Sequence, residues 1–177
     1  MTTIWRSPLL LLAPALLAGC SPTLDWREVR PDGDAIVAMF PCRPDRHERR
    51  LALAAGSVTM HMLVCSAGTA TFALSYLDVA APASVKLAMT ELQTVAAANV
   101  GAASAPPEPF QLAGATAHTE AGRLRLAGRL PDGTAVKEHA AFFAKGLRVY
   151  QASVIGADPG ADAIDGFFSE LRFPPSR

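Results

Sequence analysis

Charge is scarce in this chain: only 18% of its 177 residues are Asp, Glu, Lys or Arg, and 16 basic side chains balance 16 acidic ones. No block of one sign stands out. The densest basic stretch, Arg43 to Arg50, also holds Asp45 and Glu48. Nucleic-acid binding asks for a concentrated basic surface, so that partner class is excluded. A membrane-spanning helix needs about 20 consecutive apolar residues, and no run reaches that length. Short catalytic signatures are missing too. There is no Gly-x-Ser-x-Gly, no Walker loop, no Gly-x-Gly-x-x-Gly and no His-Glu-x-x-His. Cysteine is limited to three residues, with no Cys-x-x-Cys pair of the redox type.

What is present begins at the N-terminus. Arg6 precedes an apolar run from Leu9 to Leu17, interrupted by Pro14. That length suits the hydrophobic region of an export signal. The run ends in Leu17-Ala18-Gly19-Cys20, which resembles the bacterial lipobox at all four positions. The resemblance implies cleavage before Cys20, a diacylglycerol thioether on its sulfur and acylation of the new amine. Residues 1–19 are then a signal, residues 20–24 a lipidated cysteine with a short tether, and residues 25–177 one domain. Several acyl chains on one residue make attachment lasting, because each buried methylene contributes about 0.8 kcal/mol. Ser21, where aspartate would favour inner-membrane retention, implies the outer membrane with the domain facing the periplasm.

Removing residues 1–19 leaves 158 of the 177, enough to bury about 70% of the unfolded surface. With Cys20 lipidated, Cys42 and Cys65 form an even pair in an oxidising compartment, which reads as a disulfide. Two buried free thiols, or a metal site, are the competing readings.

Periodicity then divides the chain. Trp26 to Arg30, Ala35 to Phe40 and Arg46 to Ala54 read as strands, with a turn at Pro31-Asp32-Gly33. Val58 to Cys65 alternates, with Val58, Met60, Met62 and Val64 on one face and Thr59, His61, Leu63 and Cys65 on the other. Thr71 to Leu77 completes a hairpin. Val85, Met89, Leu92, Ala96 and Val100, backed by Ala88 and Val95, predict an amphipathic helix over about 82–101. Prolines make 102–109 a loop. Phe110 to His118 reads as a strand. Leu124, Leu126 and Leu130 then alternate with Arg123, Arg125 and Arg129. Val136 to Lys145 and Leu147 to Ile155 follow as strands around Gly146. Asp158 and Pro159 suit the start of a helix over about 159–172, carrying Ile164, Phe167, Phe168 and Leu171. The order predicts an α+β fold, an antiparallel sheet of about 6–8 strands packed with two helices.

Two motifs carry a wider resemblance: Phe40-Pro41-Cys42-Arg43-Pro44 near an early strand, and Phe167 to Phe173 at the end. With the element order, these resemble small envelope lipoproteins of the PsbP/Mog1-like α/β/α sandwich, the DcrB and LpqN type. The resemblance implies an accessory or binding protein and carries over no catalytic residue.

Four constellations merit a chemical reading. Met60-His61-Met62 has soft ligands that suit copper, but on a strand the methionines face away from His61, and His61 lies about 13 Å along the strand from Cys65. Core packing is the simpler use, and no metal or cofactor is expected. Glu138 and His139 point to opposite faces, which argues against an acid–base pair. Arg123, Arg125 and Arg129 form a stripe that suits an anionic partner, such as a lipid headgroup or cell-wall polymer, or simply a solvated face. Phe142-Phe143 suits either two packed cores or a ligand space. The expected function is therefore non-enzymatic: a membrane-anchored binding or assembly module with an envelope protein or cell-wall partner. The alternatives are a carrier or sensor of a small hydrophobic ligand held between helix and sheet and, third, an envelope hydrolase.

Overall fold

The computed structural model describes residues 24–31, 36–54, 56–103 and 105–175. Residues 1–19, expected to be a signal, Cys20 and the Pro31-Asp32-Gly33 turn, apart from Pro31, lie outside them. The fold is α+β. Strands β1 (Arg27–Val29) and β2 (Ala38–Phe40) pair as a small antiparallel ribbon. Strands β3 (Asp45–Leu53), β4 (Gly56–Ala67), β5 (Ala70–Asp78), β6 (Glu108–Pro109), β7 (Gly122–Arg129), β8 (Ala135–Lys145) and β9 (Arg148–Gly156) build a seven-stranded sheet in the order β3-β4-β5-β9-β8-β7-β6. Every pairing in it is antiparallel. Helix α1 (Pro82–Asn99) joins β5 to β6, and α2 (Ala161–Ser169) follows β9.

Alternation along each strand sends side chains to two separate cores. On one face, Phe72, Leu74 and Tyr76 of β5 join Phe143, Tyr150 and Val154 beneath α2 and the ribbon. Phe167 of α2 anchors this layer edge-on to Phe40 at 5.3 Å and to Phe72 at 5.6 Å. On the other face, Leu124, Leu126, Ala140, Phe142 and Val149 meet Val85, Ala88, Met89, Leu92 and Ala96 of α1. The sheet is therefore the middle of three layers. The adjacent phenylalanines at 142 and 143 each fill one core and are essentially fully buried.

Helix α1 starts with Pro82 in its first turn, where the missing N–H costs nothing. It leaves through Gly101, whose φ of 62° is left-handed. Its last turn crosses β7 closely. A β-carbon at Gly128 would run into the Val100 carbonyl, which instead accepts a 2.7 Å hydrogen bond from the Arg129 N–H.

Several sequence expectations need correction. Phe110 to His118 is not a strand; it runs as irregular chain and touches the sheet through one bridge, Thr116 to Ala144. Part of the expected loop is a strand instead. Glu108–Pro109 pairs with Arg123 and Gly122, which Pro109 tolerates because β6 is an edge. Val95 is 45% exposed, so it does not back the core face of α1. Helix α2 is shorter than 159–172: its cap is Gly160, and the chain is already extended where the Arg172 N–H and carbonyl pair with Val37. That pairing ties the C-terminal segment to the start of β2, and the ribbon would lose this support if the helix continued.

Candidate functional site

Cys42 and Cys65 form a disulfide, with their Cα atoms 6.0 Å apart. Cys65 is buried in the core beneath α2, and Cys42 lies just beyond β2. The bond therefore staples the ribbon to β4 and excludes the free-thiol and metal readings of this pair. Cys20, the third cysteine, lies outside the described residues.

The arginine stripe is divided by its surroundings. Arg123 and Arg125 sit on the α2 face of β7. The Arg123 guanidinium lies 4.2 Å over the Phe168 ring, and burial together with Arg125 lowers its pKa. Arg125 pairs with Glu108 of the edge strand at 3.2 Å. His139 stands opposite Arg125 on β8. Burial and the two guanidinium groups hold its imidazole below the ordinary histidine range. Arg129 does not join them. Its guanidinium turns to the Gly133 carbonyl of the next hairpin at 2.8 Å. Two arginines and one histidine thus share a patch, with its nearest cation stacked and its second cation paired.

Met60 and Met62 belong to the α1-side core, as alternation requires. His61, on the opposite face, stacks on Tyr76 with ring centres 5.0 Å apart, and its Nδ1 lies 3.1 Å from Glu48. The Arg148 guanidinium covers Tyr76 at 4.8 Å and makes two 2.7 Å bonds to Asp78. These bonds hold the Asp78 carboxyl below its usual range. Among the described residues, no group of three His, Cys, Asp or Glu side chains could hold a metal ion. No helix among them is long and apolar enough to cross a membrane.

Two further features, the burial of Glu138 and a surface cleft, were not anticipated from the sequence. Glu138 is only 6% exposed and faces the α1 side, in register between Leu126 and Ile155. Burial pushes its carboxyl up to about 7. Its position in line with Val136, Ala140 and Phe142 was a readable signal of that burial. The second is a cleft of about 140 Å³ beneath the irregular segment, lined by Phe110, Leu112, Ala115, His118 and Phe143. It adjoins a more open basin lined by Pro107, Pro109 and Thr119. Only the Phe110 aromatic in a proline-rich setting hints at it. The arrangement offers apolar contact and hydrogen bonding. No family model, curated protein or solved structure matches this chain.

Proposed function

We propose that this chain is a lipid-anchored, periplasm-facing protein of the bacterial envelope whose domain acts as a non-enzymatic binding or assembly module. One observation carries the reading: the Cys42–Cys65 disulfide accounts for two of the three cysteines and leaves Cys20 alone at the lipobox. A structural disulfide is at home in an exported protein. The three-layer order, α1, sheet, α2, is also compatible with an α/β/α sandwich of the PsbP/Mog1-like type, in which accessory proteins are frequent.

Expression of the full chain in a Gram-negative host tests the anchor. The mature protein is expected in the outer-membrane fraction, with an N-terminal peptide heavier by diacylglycerol and one further acyl chain. Cys20→Ser is expected to abolish that mass and leave an uncleaved precursor. An unmodified N-terminus in the native protein would refute the anchor. Crosslinking in intact cells tests the module: a specific envelope partner is expected, and recovery of none counts against it.

The second reading, a small-ligand carrier, draws support from the cleft. Both helix–sheet interfaces are filled by side chains exposed by no more than 7%. A ligand would therefore sit under the 110–118 segment, where about 140 Å³ is close to the roughly 150 Å³ that accommodates a benzene-sized ring. Ala115→Phe fills that space. Native mass spectrometry of gently extracted protein is expected to find a bound small molecule that this variant loses. A uniformly empty protein sinks the carrier reading.

A further inference from the structure

We infer that the surface around the start of β1 and β3 lies against the membrane, where Arg27, Arg43 and Arg46 engage the phosphates of anionic phospholipid headgroups. The inference rests on the anchor reading above. It starts from chain length. Only residues 21–24 separate Cys20 from Asp25, and an extended chain advances about 3.5 Å per residue. Residue 25 is therefore within roughly 17 Å of the lipid attachment point. Whatever surrounds Asp25 must lie near the headgroups.

The fold fixes what surrounds it. The Asp25 N–H donates to the Pro41 carbonyl at 2.8 Å, which brings the tether to the end of β2. From there the chain passes through Cys42 and Arg43 into β3. Arg27, Val29, Arg43, Asp45 and Arg46 line an open groove of about 620 Å³ at this spot. The side chains of Arg27, Arg43 and Arg46 are exposed. Arg27 also pairs with Asp25, which keeps its guanidinium beside the tether. Along β3, Arg50 shares the face of Arg46 and Arg49 lies on the other, with the exposed Asp45 and Glu48 interspersed. Charge on β3 also protects a sheet edge from pairing with another strand. Edge protection does not explain Arg27, which belongs to the ribbon, nor Arg43, which precedes the strand.

Lasting membrane attachment commonly combines acyl chains with a basic surface. Near an anionic bilayer each arginine contributes about five-fold in affinity, and the attraction fades beyond a Debye length of about 8–10 Å. A tether of this length lets the groove come down to the headgroups, and the attraction then holds it there. The anchor supplies the high local concentration that makes an intrinsically weak contact effective.

The test uses the mature chain with Cys20→Ser, so that no acyl chain contributes. Its binding to phosphatidylglycerol vesicles and to phosphatidylcholine vesicles is compared at low ionic strength. Binding to the anionic vesicles alone is expected, fading as salt is added. Arg43→Glu with Arg46→Glu should weaken it by about 25-fold or more, from the loss of two such contributions. Lys86→Glu, exposed on α1 and therefore across the sheet from the ribbon, should leave it unchanged. Circular dichroism checks that the variants fold. Equal binding to both vesicle types, full binding by the double variant, or an equal loss in Lys86→Glu would each overturn the assignment. The mass of the Cys20 peptide reports on the anchor independently of all three.

Discussion

Replacing Cys42 and Cys65 together by alanine is expected to cost about 3 kcal/mol of folding stability, the chain-entropy value for the 24-residue loop that residues 42–65 close. For a domain of this size that corresponds to a fall in Tm of roughly 6–12 °C. The loop entropy sets the scale, and the position of the bond sets what is lost structurally. The ribbon pairs with itself through only three residues in each strand. Its hold on the rest of the protein includes Phe40 against Phe167, Val37 and Glu28 against Arg172, and the disulfide. Without the bond, hydrogen exchange should rise first at Ala38, Met39 and Phe40, while the central strands β5 and β9 stay protected. Thermal unfolding with and without reductant, and of the double variant, measures the loss. Equal melting temperatures for the oxidised protein and the variant would show that the ribbon stays docked without the bond.

The second large effect concerns Glu138. Burial pushes its carboxyl up to about 7, against an ordinary glutamate value of 4.5. The sign follows from which state ionises first. Below about pH 4.5 the group is neutral folded and unfolded, and its burial carries no charge penalty. Between about 4.5 and 7 the unfolded chain ionises while the folded one keeps its proton, so stability falls as pH rises. Above that window the folded carboxylate is charged and the full penalty applies, on the order of 3 kcal/mol at 1.36 kcal/mol per unit. Glu138→Gln removes this dependence. Urea unfolding at pH 5 and pH 8 is expected to give similar stabilities for the two proteins at pH 5, within about 1 kcal/mol, because the wild-type penalty has barely begun there. At pH 8 the variant should be more stable by about 2–3 kcal/mol. Comparing variant with wild type is essential, because exposed carboxylates such as Asp78 and Asp158 are held low by Arg148 and Lys137 and pull the overall profile the other way. A gap that does not widen between the two pH values would mean that the carboxyl is better solvated than its position implies.

Both effects grow from features of different legibility. The disulfide could be anticipated because assigning Cys20 to the lipobox-like motif leaves Cys42 and Cys65 as a single pair. Glu138 stood on a visible apolar line, Val136, Glu138, Ala140 and Phe142, yet alternation alone could not say that the line was covered at that point. Cover is a property of the opposing layer. It depends on where α1 lies across β7 and β8, and Gly128 beneath Val100 marks that crossing only once the two are seen together.

The sequence by itself determined the α+β class, both helices, the six longer sheet strands and the face on which each strand residue lies. It could do so because period two and period 3.6 are local properties of the backbone. Tertiary structure alone decided the rest. Pro109 could join a sheet because β6 is an edge with one N–H fewer to satisfy. Phe110 to His118 lost its strand because that segment crosses the α2-side core, where Phe110 meets Phe143 at 6.0 Å, instead of running along a neighbour. Val95 became exposed because α1 turns the face of Val85, Met89, Leu92 and Ala96 to the core and leaves Val95 off it. The three arginines parted company because Phe168, Glu108 and the Gly133 carbonyl, each distant or differently placed in sequence, lie beside different members of the stripe. A repeating pattern states which side chains share a face. How far another layer extends over that face, and what waits there, is set by long-range packing.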